Sequence, residues 1–237
     1  MELSNSPVGA AVVAQTKGPF ERLIGVFVSP ASTMQDIAAR PSWVLPLIIA
    51  TIVGSVSAFF LKDVILQTQL EAMEKRNMTA EQIEQARPMM EKMMTYTVPL
   101  VPLITTPLFY LAIAGLLMFT GNVILGGEAK FSQLFAITCW SGILTALSSI
   151  INVPIMVNKG VMESATSLSS LMPSEENKSL LYHLLSQIDL FWIWWVAVIG
   201  FGVAAVYKFS TRKAMTTVFM MWVIYVVIAV ALKSIFS

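Results

Sequence analysis

Apolar positions along the chain gather into five long runs, and polar positions gather between them. A membrane-crossing helix needs about 20 consecutive, mostly apolar residues. Residues 43–61, 98–125 and 131–157 qualify and contain no charged side chain. Residues 188–207 carry one acid, Asp189, at the entrance, and residues 216–236 carry Lys233 near the exit. Lipid offers a backbone no hydrogen bonds, so each run is expected to be an α-helix. The alternating pattern of a membrane barrel is absent. The expected fold is all-α: a polytopic membrane protein with a bundle of five transmembrane helices and extracytoplasmic helical loops. It divides into an N-terminal segment, 1–42, with interfacial helices, and a five-helix membrane domain, 43–237.

The segments between the runs carry helical signals of their own. Phe20, Leu23, Ile24 and Phe27 recur at helical spacing, and Ser29-Pro30 offers an N-cap with proline at the first helical position. Met34, Ile37 and Ala38 continue an apolar face up to Arg40-Pro41. This pair of short helices reads either as a docking arm or as an elbow packed under the bundle. In 62–97, Ile65, Leu66, Leu70 and Met73 prolong the first span, and Asn77 breaks it. Thr79 and Gln82 form a capping box, and the helix they start is expected to bend or end near Pro88. In 158–187 a Ser-rich stretch leads to a helix that Ser174 can cap, with Glu175 and Glu176 in its first turn. Asn77-Met-Thr79 and Asn177-Lys-Ser179 match glycosylation acceptors, which matter only in a secretory pathway.

Composition narrows the function. Charged residues are 12% of the 237-residue chain, against about 25% in soluble domains. Mean hydropathy is +0.73. A net charge of +1 leaves no basic face for nucleic acid. Cys139 is the only cysteine and reads as a core residue, and His183 is the only histidine. No phosphate-binding loop, zinc-protease motif or nucleophile elbow occurs, and the span centres lack ionisable groups. Trp140-Ser-Gly142 has no suitable base near it in sequence. The expectation is a protein without enzymatic activity and without a cofactor. Residues 1–18 lack the apolar core of a signal peptide, so the first span is expected to stay in place.

Basic residues divide 7 to 8 between the two sides if the N-terminus is cytoplasmic, so the raw count does not orient the chain. The short loop around Lys208, Arg212 and Lys213 is basic without acids, whereas 62–97 dilutes five basic residues with six acids. Short loops weigh more, which places the N-terminus inside and the C-terminus outside. Both helical loops, 62–97 and 158–187, then lie on the extracytoplasmic side.

Those loops supply the candidate partner surface. Met89, Met90, Met93 and Met94 form a dense thioether cluster. Thioethers bind Cu(I), but no histidine or cysteine joins the four, and their spacing equally makes an adaptable packing face. Leu180 and Leu184, with Leu181 and Leu185, give the second loop an apolar face. Asp189 is placed to cap the fourth span, and Trp194 follows it at the interface. In the third span Ser141, Thr145, Ser148 and Asn152 share a face with Gly142 and Ala146, as in closely packed helix pairs.

The order of these signals resembles a known family. Phe27-Val-Ser-Pro30 with Thr33-Met34 and Ile37 precedes Arg40-Pro41 and the first span. Leu125-Gly126-Gly127 with Phe131 turns between the second and third, and Asp189-Leu-Phe191 with Trp194 opens the fourth. Five spans punctuated in this way resemble the Yip (Ypt-interacting protein) domain family in its bacterial form, over roughly residues 20–236. The resemblance implies a cytoplasmic N-terminus and the bacterial inner membrane. Eukaryotic relatives contact Rab GTPases, but their Asp-Leu-x-Gly-Pro and Tyr-Gly-Tyr motifs are missing here, so that role does not transfer. Bacterial members resemble companions of ABC-type exporters of the macrolide-efflux kind, which work with a periplasmic adaptor. The expected function is therefore a membrane accessory or scaffold protein whose partners are lipids and other membrane proteins. A permease or lipid-handling protein acting alone is the alternative.

Overall fold

A computed structural model describes residues 17–172 and 180–236, with the side chains of 233–236 left undescribed. Among the described residues every regular element is helical. Five helical stretches are long and apolar enough to cross a membrane: Val44–Lys75, Ala80–Ile124, Phe131–Lys159, Leu190–Tyr207 and Thr211–Leu232. The protein is an integral membrane protein. The caps expected from Ser174, Glu175 and Glu176, and the Asn177 acceptor, lie outside the described residues.

Helices α1 (Pro19–Val28) and α2 (Pro30–Ala39) form a tight hairpin. A Cβ at Gly25 would overlap the hydroxyl of Thr33, so glycine lets the two helices touch. The Arg22 guanidinium donates to Asp36 at 2.7 Å and to the Ser42 hydroxyl at 2.7 Å, and Asp36 also pairs with Arg40. Ser29 precedes α2 but its side chain does not cap it. Instead the Lys17 ammonium takes the nearby hydroxyls, donating to Thr33 at 2.7 Å and Ser32 at 2.9 Å. Val26, Met34 and Ile37 are fully buried in the main core. Gln133 donates to the last-turn carbonyl of Ala38, and Trp140 to the carbonyl of Ser42. Of the two readings of this segment, the geometry is that of the packed elbow.

Helix α3 (Val44–Lys75) has 32 residues, about 48 Å at 1.5 Å per residue, against a hydrocarbon core of about 30 Å. Its C-terminal turns therefore stand clear of the lipid. Asn77 takes a left-handed conformation, φ 60°, that reverses the chain. Thr79 then caps α4 (Ala80–Tyr96), accepting from the Gln82 amide while Gln82 accepts from the Thr79 amide. Helix α4 continues through Pro88 to Tyr96, so of the expected bend or end the helix shows no end there. It passes through a single 3₁₀ turn, Val98–Leu100, into α5 (Val101–Met118). Leu66, Leu70, Ile83 and Met94 form a small core of their own between α3 and α4.

A six-residue π-helical segment, Phe119–Ile124, ends the second span. The third span is two helices, α6 (Phe131–Ser141) and α7 (Ile143–Lys159), joined at Gly142. A side chain at Gly142 would overlap the Tyr110 hydroxyl, so that glycine seats α5 against the third span. Every residue from Leu134 to Ser141 is buried, which makes α6 the centre of the bundle. The short α8 (Leu180–Ser186) packs on the 3₁₀ turn Leu168–Leu171 and on the last helix. Helix α9 (Leu190–Tyr207) lies between α2 and α6 on one side and α10 (Thr211–Phe236) on the other.

The two ends of the bundle are distinct. Gly127 packs against Tyr207 and Phe209, and Gln133 reaches Ala38, so the elbow and the 125–130 and 208–210 turns share one end. Ser57 and Leu61 of α3 line a common cleft with Met156 and Asp189 at the other, near the end of α7 and the start of α9.

Candidate functional site

The α9 entrance is built around a buried acid. Asp189 is 3% exposed. One carboxylate oxygen accepts from the amides of Phe191 at 2.8 Å and Trp192 at 3.4 Å, the N-cap expected from sequence. The other accepts from the hydroxyls of Ser164 and Thr166, each at 2.6 Å. Thr166 in turn accepts from the Asn152 side chain at 3.1 Å. Asn152 also donates to Ser148 and accepts from the Ala165 amide. A single antiparallel bridge, Ser167 to Asp189, clamps the Ser-rich stretch to the start of α9. The network ties α7, the 160–172 connection and α9 together at one end of the bundle.

Sequence reasoning identified the Asp189 cap and the Ser148–Asn152 face. It did not identify Ser164 and Thr166 as partners of Asp189, since they lie 25 and 23 residues away. The only sequence signal for them was the richness in serine. Beside this network lies a cleft of about 270 Å³, lined by Ser57, Ser148, Asn152, Ser164, Ser186 and Asp189 among its polar groups. Among the described residues none that lines it is Lys or Arg.

The candidate surface residues separate into two groups. Met94 is 2% exposed, and it and Met90 pack into the α3–α4 core, while Met89 is 73% exposed and Met93 also faces outward. Splitting the four over two faces separates the thioethers that a Cu(I) site would gather. Leu180 and Leu184 are exposed on α8. Asp189 is buried and Trp194 is half-buried. Asp189 is inside the network just described, and the Trp194 ring meets Phe27 edge-on at 5.8 Å and stacks on Phe191 at 6.4 Å. Through Phe27, Trp194 joins the elbow to α9. Met89, Met93, Leu180 and Leu184 thus remain available to a partner.

Cys139 is fully buried in the core beside Ile137 and Trp140. Among the described residues no group of three or more His, Cys, Asp or Glu side chains is arranged to hold a metal.

No curated protein and no solved structure matches the chain. The Yip1 domain does match, over residues 24–232, a stretch that takes in most of the elbow and all five spans. The chain belongs to the Yip1 domain family.

Proposed function

We propose that the protein is a non-enzymatic accessory subunit of the bacterial inner membrane that docks onto an ABC-type exporter and its periplasmic adaptor. The N-terminus faces the cytoplasm and the C-terminus the opposite side. The observation that supports this reading best is the α3–α4 hairpin. It extends past the lipid on a small core of its own, so it is rigid, and it presents Met89, Met93 and Tyr96 to the surroundings. Apolar side chains held outside the bilayer favour a covering surface, and methionine adapts to varied ones. The Leu180 and Leu184 face of α8 lies at the same end of the bundle.

Affinity purification of the full chain in mild detergent, with mass spectrometric identification, tests it. An ATPase, a permease and an adaptor are expected in the eluate, and Met89→Glu with Met93→Glu is expected to release them while the bundle stays monodisperse. Recovery of the chain without exporter subunits, from cells that express them, overturns the proposal.

A further inference from the structure

Three cavities between the helices adjoin one another. Ser149 and Trp192 wall both the Asp189 cleft and a second space of about 380 Å³. The polar lining of the second comes from Ser149 together with Thr105, Thr106, Tyr110 and Thr145. Phe109 and Trp192 also wall a third, of about 130 Å³, enclosed by α5, α9 and α10. This last is apolar, with Trp195, Val196, Ile199 and Trp222 around it. Polarity thus falls along one path, over about 15 Å of α9 from Asp189 to Ile199.

We propose that this path binds one membrane lipid with an ammonium-bearing head, the head in the Asp189 cleft and an acyl chain in the aromatic cavity. Three features argue for that occupant. The first is charge. Asp189 is buried, and among the described residues no Lys or Arg pairs with it. A buried carboxylate without a counter-charge leaves a negative potential that favours a cation and opposes an anionic head. Four hydrogen bonds already fill its lone pairs, so the ammonium is held by field rather than by a new bond. The hydroxyls of Ser57 and Ser148 can donate to the phosphate of a zwitterionic head.

The second feature is Trp195. It is 5% exposed, lines the apolar cavity, and its indole N–H has no acceptor among the described residues. A buried donor left unpaired costs about 1–3 kcal/mol, so the site favours a ligand that carries an acceptor. Trp195 lies about 9 Å along α9 from Asp189, comparable with the reach from an ammonium to an ester carbonyl in an aminophospholipid. The third is the cavity wall. Phe109, Trp192 and Trp195 contact one another, with centroids 5.1–6.4 Å apart, and give a rigid aromatic throat suited to methylene groups.

The test is native mass spectrometry of the full chain released from nanodiscs containing equal amounts of phosphatidylethanolamine and phosphatidylglycerol. One lipid per chain is expected to stay bound, with phosphatidylethanolamine favoured about tenfold, the effect of one partly screened charge contact. Asp189→Asn keeps a good N-cap while removing the charge, and should bring the ratio of the two lipids close to one. Trp195→Phe keeps the ring and removes the donor, and should lower retention of both lipids several-fold with the ratio unchanged. Circular dichroism establishes that each variant is folded. If Asp189→Asn does not fold, the wild-type ratio and Trp195→Phe decide. Equal retention of the two lipids by the wild type, no retained lipid, or an unchanged ratio in folded Asp189→Asn overturns the proposal. Exporter subunits take no part in the measurement, so its result is independent of the accessory role.

Discussion

Asp36 shows how one side chain fixes the elbow. Burial pushes its carboxyl up, and the guanidinium groups of Arg40 and Arg22 outweigh burial, so the net shift is downward. The folded state therefore holds the proton less tightly than the unfolded chain does. The resulting stability is present above the unfolded value near pH 4 and is lost as pH falls through the lower folded value. The wild type in detergent should lose thermal stability below about pH 4, and Asp36→Asn should show a flatter profile there. At neutral pH the same variant leaves the buried Arg22 without its anion and should cost about 3 kcal/mol, read from its melting temperature. Loss of the Arg40 contact adds little, because that side chain is largely exposed. At this scale the sequence was legible wherever the signal was local. The Asp189 cap and the Thr79–Gln82 box each use partners within three residues, so spacing alone revealed them. Ser164 and Thr166 reach Asp189 only through the fold, and no spacing rule connects them.

The hairpin of α3 and α4 is the element whose composition was clearest and whose facing was not. Methionines at 89, 90, 93 and 94 define a stripe, but a stripe does not say which half meets the neighbouring helix. The structure turns Met90 and Met94 onto Leu66, Leu70 and Ile83, leaving Met89 and Met93 outside. Met94→Glu buries a charge without a partner, and should unfold the hairpin or lower its stability by several kcal/mol. Met89→Glu, on an exposed site, should change stability by under about 0.5 kcal/mol. Hydrogen exchange of the Ile83 and Leu70 amides separates the two: fast in Met94→Glu and protected in Met89→Glu. Pro88 does not end the helix, because its lost hydrogen bond is tolerated in a helix fixed by this small core. The π-helical segment Phe119–Ile124 had no sequence signal. It becomes intelligible only where Gly121 accepts the Tyr207 ring and Asn122 accepts the Tyr207 hydroxyl at 2.6 Å.

For the whole molecule, the five spans were evident from apolar length, because lipid enforces helix formation without reference to tertiary contacts. How the spans are arranged was not evident, because α2 packs on α9 from far along the chain. The arrangement places the α3–α4 hairpin and residues 160–172 at one end and 208–210 at the other. With the proposed orientation, single cysteines in a Cys139→Ser background should react with an impermeant thiol reagent in intact cells at 62–97 and 160–172. They should stay protected at 208–210. The reverse pattern would invert the molecule.

The central position of α6 bears on how the chain is made. Leu134–Ser141 is enclosed by α2, synthesised before it, and by α9, synthesised well after it. When α6 leaves the ribosome and enters the bilayer, the Thr138 and Ser141 hydroxyls and the bare backbone of Gly142 meet acyl chains instead of protein. At about 5–20 residues per second, α9 follows some seconds later. Through that interval the third span is a nascent helix with an incomplete coat, open to insertion factors and to quality-control proteases. A chain that stops before Leu190 lacks the α9 side of that coat.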